Sequence, residues 1–271
     1  MTNTDYVEQN LTEPAFAELL WSKPETKQSA GKLLIVGGNA NGISAPMNSY
    51  AYAQEAQIGA IRVVLPKSLR PIAGKLIEQG DYLPNTPSGS FGKQGLAELL
   101  DLSEWADAVM LAGDFGRNSE TAILIESFIN KATRPVVVTK DGFDYIASTP
   151  NIMSSAPGLT SVISLSQLQK YVKTAKKQPP ITFDMTQPQL ARAVKELSIG
   201  NMTIITKHHD AVFTAHQGTA SITKGVEENE LWQIKTASYA AVWLAQQPEK
   251  PFESITTAVY DAHQPKDVGE N

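Results

Sequence analysis

The chain has 271 residues, enough to bury a sizeable core as one large α/β domain or two small ones. Its 42% apolar and 19% charged residues are typical of a globular protein rather than a disordered one. A net charge of −5 with scattered lysines and arginines argues against a nucleic-acid partner, which needs a basic surface. Because cysteine is absent, disulfides, thiolate catalysis and Cys-ligated zinc are excluded.

The beginning of the chain is polar and acidic, without the charged-then-apolar pattern of a signal peptide. No stretch is apolar over the length of a membrane span, so we expect a cytoplasmic protein without a membrane partner. Residues 1–30 are predicted to form an irregular lead-in with one short helix in EPAFAELLW, and residues 265–271 a frayed tail.

After the lead-in, the first half of the chain alternates apolar strand patterns with helical ones. Ser44 is predicted as the N-cap of the first long helix, with Pro46 in its first turn. The predicted elements are a strand at 32–38, a helix at 45–59, a strand at 61–66, a mainly helical stretch at 67–80, a turn-rich loop at 81–95, a strand at 106–113 and a helix at 117–132.

The second half begins with the same alternation and then adds two turn signals, HHD and HQG, inside a stretch of β-formers. Those turns predict two or three short antiparallel strands. The predicted elements are a strand at 134–142, a strand followed by a helix at 160–175, a helix at 187–197, the short strands at 202–225, and helices at 231–246 and 252–264.

This order of elements predicts an α/β fold made of parallel βαβ units in one domain spanning 1–271. Its central sheet should be mostly parallel, with helices on both faces and antiparallel strands appended at one edge. Ligands of such sheets bind beyond the carboxyl ends of the strands. We therefore look for chemistry in the loops at 37–44, 112–117, 139–144 and 224–231.

The first of these loops, GGNANG at 37–42, raises the possibility of a nucleotide-binding turn. The dinucleotide fingerprint G-x-G-x-x-G fails, because Asn39 stands at the second glycine position when the pattern starts at Gly37. A phosphate-binding loop with Lys followed by Ser or Thr is also absent. The pattern alone leaves a ligand loop and a plain strand-to-helix turn equally open.

The wider arrangement of segments resembles the ADP-dependent NAD(P)H-hydrate dehydratases of the ribokinase-like superfamily, over about residues 17–264. The similar segments are LLIVGGNANGISAP, ADAVMLAGDFGRNSET, RPVVVTKDGFDYI, MTIITKHHDAVFTAHQG and LWQIKTASYAAVWLAQ. These enzymes repair hydrated nicotinamide cofactors. The resemblance implies a ribokinase-like fold, hydrated NAD(P)H as substrate, ADP or ATP with Mg²⁺ as cofactor, and a homo-oligomer.

The resemblance also implies roles for individual residues. Asp141 would act on the substrate as a catalytic residue, and Lys207 and Gly225 would lie on the nucleotide side. The substrate-binding set would be Gly37, Gly38, Asn39, Asn41, Gly113 and Gly116. Several positions depart from these motifs: Asp114 occupies a position where the family has a small residue, Thr139 stands at an acidic position, and His208 replaces a glycine.

The largest departure from the family is the missing Gly-Thr-Gly-Asp element before the penultimate long helix. That element offers glycine amides to the nucleotide phosphates and an Asp that moves a proton. Here the segment reads KGVEENELWQIK, with Glu227, Glu228 and Glu230 in its place. One of them, with Glu230 as our choice, would have to replace the missing acid/base; alternatively they only favour the helix dipole, and they oppose a polyphosphate.

The histidines leave two interpretations open, a metal site and a turn or surface position. His208, His209 and His216 with Asp210 could suggest a metal site, although turn or surface histidines explain them more simply, and we predict no metal there. For function, the sequence supports three hypotheses: a divergent dehydratase, a catalytically inactive relative that binds a nucleotide or a partner, and a small-molecule kinase. The kinase is the weakest, because such kinases also use the missing glycine element.

Overall fold

The computed structural model describes residues 5–74, 80–156, 158–200 and 202–265. The predicted frayed tail after residue 265, the first four residues of the predicted lead-in and residues 75–79 of the predicted helix at 67–80 lie outside the described residues. Within those ranges, none of the helices combines the length and apolarity needed to cross a bilayer.

All of the named strands belong to one sheet. Its strands are β1 (Val7–Asn10), β2 (Lys32–Gly37), β3 (Ala60–Pro66), β4 (Gly80–Leu83), β5 (Ala108–Gly113), β6 (Val136–Thr139), β7 (Leu159–Ser164), β8 (Thr203–His208), β9 (Ala211–His216) and β10 (Thr219–Lys224).

The helices fill the connections between the strands. They are α1 (Ala17–Trp21), α2 (Ser44–Glu55), α3 (Arg70–Ala73), α4 (Leu96–Glu104), α5 (Ser119–Lys131), α6 (Lys140–Ile146), α7 (Pro150–Ser155), α8 (Leu165–Thr174), α9 (Gln187–Leu197), α10 (Trp232–Gln246) and α11 (Pro251–His263).

The sheet has the strand order β1-β10-β9-β8-β7-β6-β5-β2-β3-β4. All neighbouring strands from β8 to β4 run parallel, while β9 pairs antiparallel with both β8 and β10. β1 then pairs parallel with β10 at the outer edge. The mostly parallel sheet with antiparallel strands at one edge is therefore confirmed, and β9 is the strand that reverses direction.

The core lies in two layers, one on each face of the sheet. Alternate residues of β2 enter opposite layers: Leu34 and Val36 pack in one, Leu33 and Ile35 in the other. All four side chains are at most 1% exposed. A strand buried on both faces reads as a continuous apolar run, which is why 32–38 was identifiable from the sequence.

The structure differs from the predicted elements in several places. The lead-in contains strand β1, which was not predicted, and the predicted loop at 81–95 begins inside strand β4. The predicted strand at 134–142 ends at Thr139, because the chain turns into α6 at Lys140. Ser44 is also the first residue of α2 rather than its N-cap, which is Ile43.

Candidate functional site

The loop after β2 and the end of β5 touch at the carboxyl edge of the sheet. The amide of Gly38 donates to the carbonyl of Gly113 at 3.0 Å. A Cβ at Gly37 would lie 2.6 Å from the same carbonyl oxygen, so a side chain there would collide with backbone. The glycine pair is thus needed for the close approach of two strand ends.

Asn39 organises the loop that follows. Its Nδ2 donates to the carbonyl of Asp114, and its Oδ1 accepts from the amide of Asn41 at 2.7 Å. The residue is 8% exposed. Its side chain therefore already has partners within the loop, and it holds Asn41 and the end of β5 in place.

Asp114 lies in front of the first turn of α2. Its Oδ2 accepts from the amide of Ala45 at 2.7 Å and from the hydroxyl of Ser44 at 3.0 Å. A carboxylate at a helix N-terminus satisfies free amides and is favoured by the helix dipole. Asp114, directly after β5, has φ = 58°, and Lys140, directly after β6, has φ = 51°, so a non-glycine residue adopts a left-handed backbone conformation after each of these neighbouring strands.

Asp141 lies in the first turn of α6, between the ends of β5 and β6. Its Oδ2 accepts from the amide of Gly116 at 3.1 Å. Its Oδ1 is buried and has no hydrogen-bond partner among the described residues. Burial raises the pKa of the Asp141 carboxyl, and the negative charge of Asp114 raises it further. Asp141 is thus a carboxyl group that holds its proton to higher pH than an exposed aspartate.

A cleft of about 360 Å³ opens beside Asp141. Its walls include Asp144 and Tyr145 of α6 and Asn118 at the start of α5. The Tyr145 hydroxyl donates to the carbonyl of Gly116 and accepts from the amide of Asn118 at 3.1 Å. These two hydrogen bonds hold the loop after β5 against α6, next to Asp141.

A second cleft, of about 340 Å³, lies at the end of β8. Lys207 forms part of it and is 6% exposed as a residue. Its ammonium donates to the carbonyl of His209 and to Glu228 Oε2, the latter at 2.6 Å. Phe183, His208 and neighbouring residues complete the walls.

Two glutamine side chains connect these regions. Gln167 Nε2 donates to the carbonyl of Lys140 at 2.9 Å, next to Asp141. Gln233 Nε2, in the first turn of α10, donates to Gln167 Oε1 at 3.0 Å and to the carbonyl of Val162 at 3.2 Å. The start of α10 is therefore attached to β7 and α8, and through Gln167 to the first residue of α6.

The structure thus brings together Gly37, Gly38, Asn39, Gly113, Gly116 and Asp141 at the ends of β2, β5 and β6. Lys207 lies in the separate cleft at β8. Gly225 follows β10 in a left-handed conformation with φ = 83°. Glu227 and Glu230 are exposed, and Glu230 lines neither of the two clefts. The positions of these residues are observed, and their roles remain predictions.

The histidines do not converge on a metal-like cluster within the described ranges, where no three candidate ligands of a metal ion come together. His208 and His209 stack with ring centroids 4.0 Å apart. His216 Nδ1 shares a hydrogen bond with the hydroxyl of Thr203 at 2.7 Å.

Sequence reasoning missed the part played by Tyr145, Gln167 and Gln233, and the hydrogen bonds that Asp114 makes to α2. Asp114 stood out as an unusual residue in its motif, which is the signal that could have indicated a changed local structure. Tyr145 and the two glutamines carry no local signal, because their partners are distant in sequence.

No known family profile matches the chain. The bifunctional NAD(P)H-hydrate repair enzymes of Dictyoglomus turgidum and Moorella thermoacetica are each 25% identical to it, over 128 and 130 residues. These matches cover 46% and 47% of this chain but only 25% and 24% of the relatives, so the similarity spans about a quarter of their length.

Solved structures match more of the chain. A ribokinase-like superfamily protein of Enterococcus faecalis has a TM-score of 0.71 at 16% identity, covering 97% of this chain and 88% of that one. The ADP/ATP-dependent NAD(P)H-hydrate dehydratase of Bacillus subtilis, co-crystallised with ATP and Mg²⁺, has a TM-score of 0.63 at 13% identity, covering 89% and 81%. The protein therefore has the ribokinase-like fold, and a little under half of its sequence is similar to part of the NAD(P)H-hydrate repair enzymes.

Proposed function

We propose that the protein binds ADP or ATP and eliminates water from a hydrated nicotinamide cofactor. The observation that carries this proposal is Asp141, a carboxyl group with a raised pKa and an unpartnered oxygen at the edge of a cleft where the ends of parallel strands meet. The sequence and structural similarity to NAD(P)H-hydrate repair proteins supports the same activity.

In this proposal the cleft beside Asp141 receives the hydrated nicotinamide, and Asn39 of the Gly37–Asn41 loop lies against Gly116 of its wall. Net water elimination breaks a ring C–O bond and removes a proton from the neighbouring carbon; the terminal phosphoryl group of the nucleotide would pass to the hydroxyl, and the oxygen would leave as inorganic phosphate. A carboxyl group whose pKa is raised by burial is suited to accept or return that proton. We assign this role to Asp141.

The nucleotide would bind on the side of Lys207 and Gly225. The ammonium of Lys207 fits a phosphate group, because it is buried and has few partners. Mg²⁺ is bound in such reactions through one or two carboxylates and the phosphates themselves, so it does not require a cluster of protein ligands.

A second candidate function is a nucleotide-binding relative without catalysis. It is favoured by a specific observation: Glu230, our choice for the missing acid/base, lines neither cleft.

The two candidates are separated by binding and turnover measurements on the same preparation. Thermal shift with ADP, ATP and NADH, with and without Mg²⁺, tests binding; a ligand at 100 times its Kd adds about 2.7 kcal/mol to stability. Recovery of NADH absorbance from hydrated NADH tests turnover. Shifts without turnover select the binding protein, and an absence of shifts with either nucleotide contradicts both candidates.

We predict that Asp141→Asn abolishes turnover without unfolding the protein. Asparagine keeps an oxygen for the Gly116 amide and removes a carboxylate that burial disfavours at neutral pH. The melting temperature should therefore stay equal or rise. The matched control is Asp107→Asn, an exposed aspartate before β5 at the opposite end of the sheet, which should retain turnover. Full turnover in Asp141→Asn would show that Asp141 is not a catalytic residue.

A further inference from the structure

The ion pair between Lys207 and Glu228 is unusual in how unequally its two members are exposed. The Lys207 side chain is 3% exposed, whereas the Glu228 side chain is 83% exposed, and the two are joined at 2.6 Å. The lysine is thus part of the protein interior and the glutamate approaches it from solvent. A buried ammonium needs an anionic or polar partner, and here it has Glu228 and one backbone carbonyl, that of His209.

The backbone on either side of Glu228 is fixed. The amide of Val226 donates to the carbonyl of Asp210 at 2.8 Å, and the Val226 side chain is fully buried. On the other side, Asn229 Oδ1 accepts from the amide of Leu231 at 2.7 Å. The exposed Glu228 side chain can therefore rotate away from Lys207 without displacing either anchor. Such a rotation would uncover the ammonium from the solvent side.

A second polar group in the same cleft lacks a partner. His208 is 4% exposed, and its Nε2 has no hydrogen-bond partner among the described residues. Burial lowers the pKa of the His208 ring, and the neighbouring His209 lowers it further, so the ring is neutral at pH 7. A hydrogen bond to the Phe183 backbone already uses one ring N–H, so Nε2 donates to an arriving oxygen when the ring is protonated, a form that the negative charge of a phosphate favours. Lys207 and His208 thus offer two donors in one cleft.

We propose that Glu228 occupies an anion-binding site formed by Lys207 and His208, and that a phosphate group must displace its carboxylate to bind there. This inference rests on the proposed nucleotide binding at Lys207 and adds an autoinhibitory contact to it. The carboxylate competes as part of the same chain, so it lowers phosphate affinity in every molecule. Removing its charge should raise that affinity.

The probe for this site is inorganic pyrophosphate, titrated calorimetrically into the full chain without divalent cations. We expect Glu228→Gln to bind pyrophosphate about 10-fold or more tightly than the unmodified protein. The matched control is Glu227→Gln, which removes the same charge from the same exposed segment. It should change the affinity less than about 3-fold, because it changes only the long-range field. Adding Lys207→Met to Glu228→Gln should abolish the gain.

Equal affinities for the unmodified protein and Glu228→Gln, or no pyrophosphate binding by either, would overturn the inference. An equal gain in Glu227→Gln would also overturn it, since general charge repulsion would then explain the result. If the Lys207→Met variant does not fold, His208→Asn in the Glu228→Gln background replaces it and should reduce the gain.

The inference and the proposed function fail separately. A pyrophosphate gain in Glu228→Gln, with no turnover of hydrated NADH and no nucleotide shift, would contradict the proposed function and leave the anion site standing. Turnover and nucleotide binding, with an unchanged pyrophosphate affinity in Glu228→Gln, would support the proposed function and contradict the anion site.

Discussion

His263, at the end of α11, shows how one half-buried side chain can make the stability of this protein depend on pH. Its Nε2 shares a hydrogen bond with the hydroxyl of Thr236 at 2.8 Å. Burial lowers the pKa of His263 to about 4, and the charges of Lys235 and Lys207 contribute in the same direction. The folded protein therefore keeps this ring neutral where the unfolded chain would protonate it.

We predict that the free energy of unfolding falls as the pH decreases from 7 to 5. The ordinary histidine pKa is near 6.5, so the unfolded state gains the proton first and is stabilised relative to the folded state. The loss from His263 is about 2 kcal/mol between pH 7 and 5. Urea denaturation at both pH values measures it. His263→Gln should show a smaller difference than the unmodified protein; an equal difference would contradict the assignment.

At the same scale, the sequence indicated the positions of the candidate site better than its contacts. The glycines at 37, 38, 113 and 116 and Asp141 come from separate segments, and the structure places them at neighbouring strand ends. The pairing of Glu228 with Lys207 could not be read from the sequence, because the direction of a glutamate in an irregular segment depends on the surrounding fold. The hydrogen bonds of Asp114 depend in the same way on two strand ends meeting.

The elements that were predicted correctly are those whose local pattern agrees with their burial. β2 and β5 are apolar along their length, and all the residues of β5 are buried. β1 was missed because VEQN carries no apolar run. Its inward residue is Gln9, whose Nε2 donates to Thr223 Oγ1 and to the carbonyl of Thr256, both at 2.8 Å. A buried polar residue with distant partners gives no strand signal.

The N-terminus of α2 allows a prediction at the scale of one element. Asp114→Ala removes the carboxylate that accepts from Ala45 and Ser44, and places alanine at φ = 58°. We expect a loss of about 1–2 kcal/mol in the free energy of unfolding. Asp114→Asn should lower the free energy of unfolding by only about a few tenths of a kcal/mol, because asparagine keeps an acceptor oxygen and tolerates a left-handed backbone. Chemical denaturation of both variants measures this; an alanine variant as stable as the asparagine variant would contradict the capping role.

At the scale of the whole molecule, an ion pair joins the two ends of the described chain. The ammonium of Lys23 lies 2.7 Å from Asp261 Oδ2, and the indole N–H of Trp243 donates to the same oxygen at 2.9 Å. Lys23 also lies 5.3 Å from the centre of the Trp243 ring. The lead-in is thus held against α10 and α11 by a carboxylate that is 6% exposed as a residue.

We predict that Asp261→Asn lowers the free energy of unfolding by about 3 kcal/mol, because it leaves a partly buried ammonium without its anion. The control is Glu8→Gln, which breaks the Lys224–Glu8 pair at 2.8 Å, whose side chains are 43% and 42% exposed. An exposed pair should contribute less than about 1 kcal/mol. Equal losses in urea denaturation would contradict the importance of burial.

Strand β1 has a consequence for the order in which the molecule is assembled. Its residue Gln9 contacts Thr223 of β10 across 214 positions of sequence, so during synthesis the earlier strand leaves the ribosome long before its neighbour exists. Parallel strand pairings over such separations form slowly, because the entropy of closing the long loop is lost before any stabilising contact forms. We therefore expect residues 7–10 to pair with β10 last, after the rest of the sheet has formed.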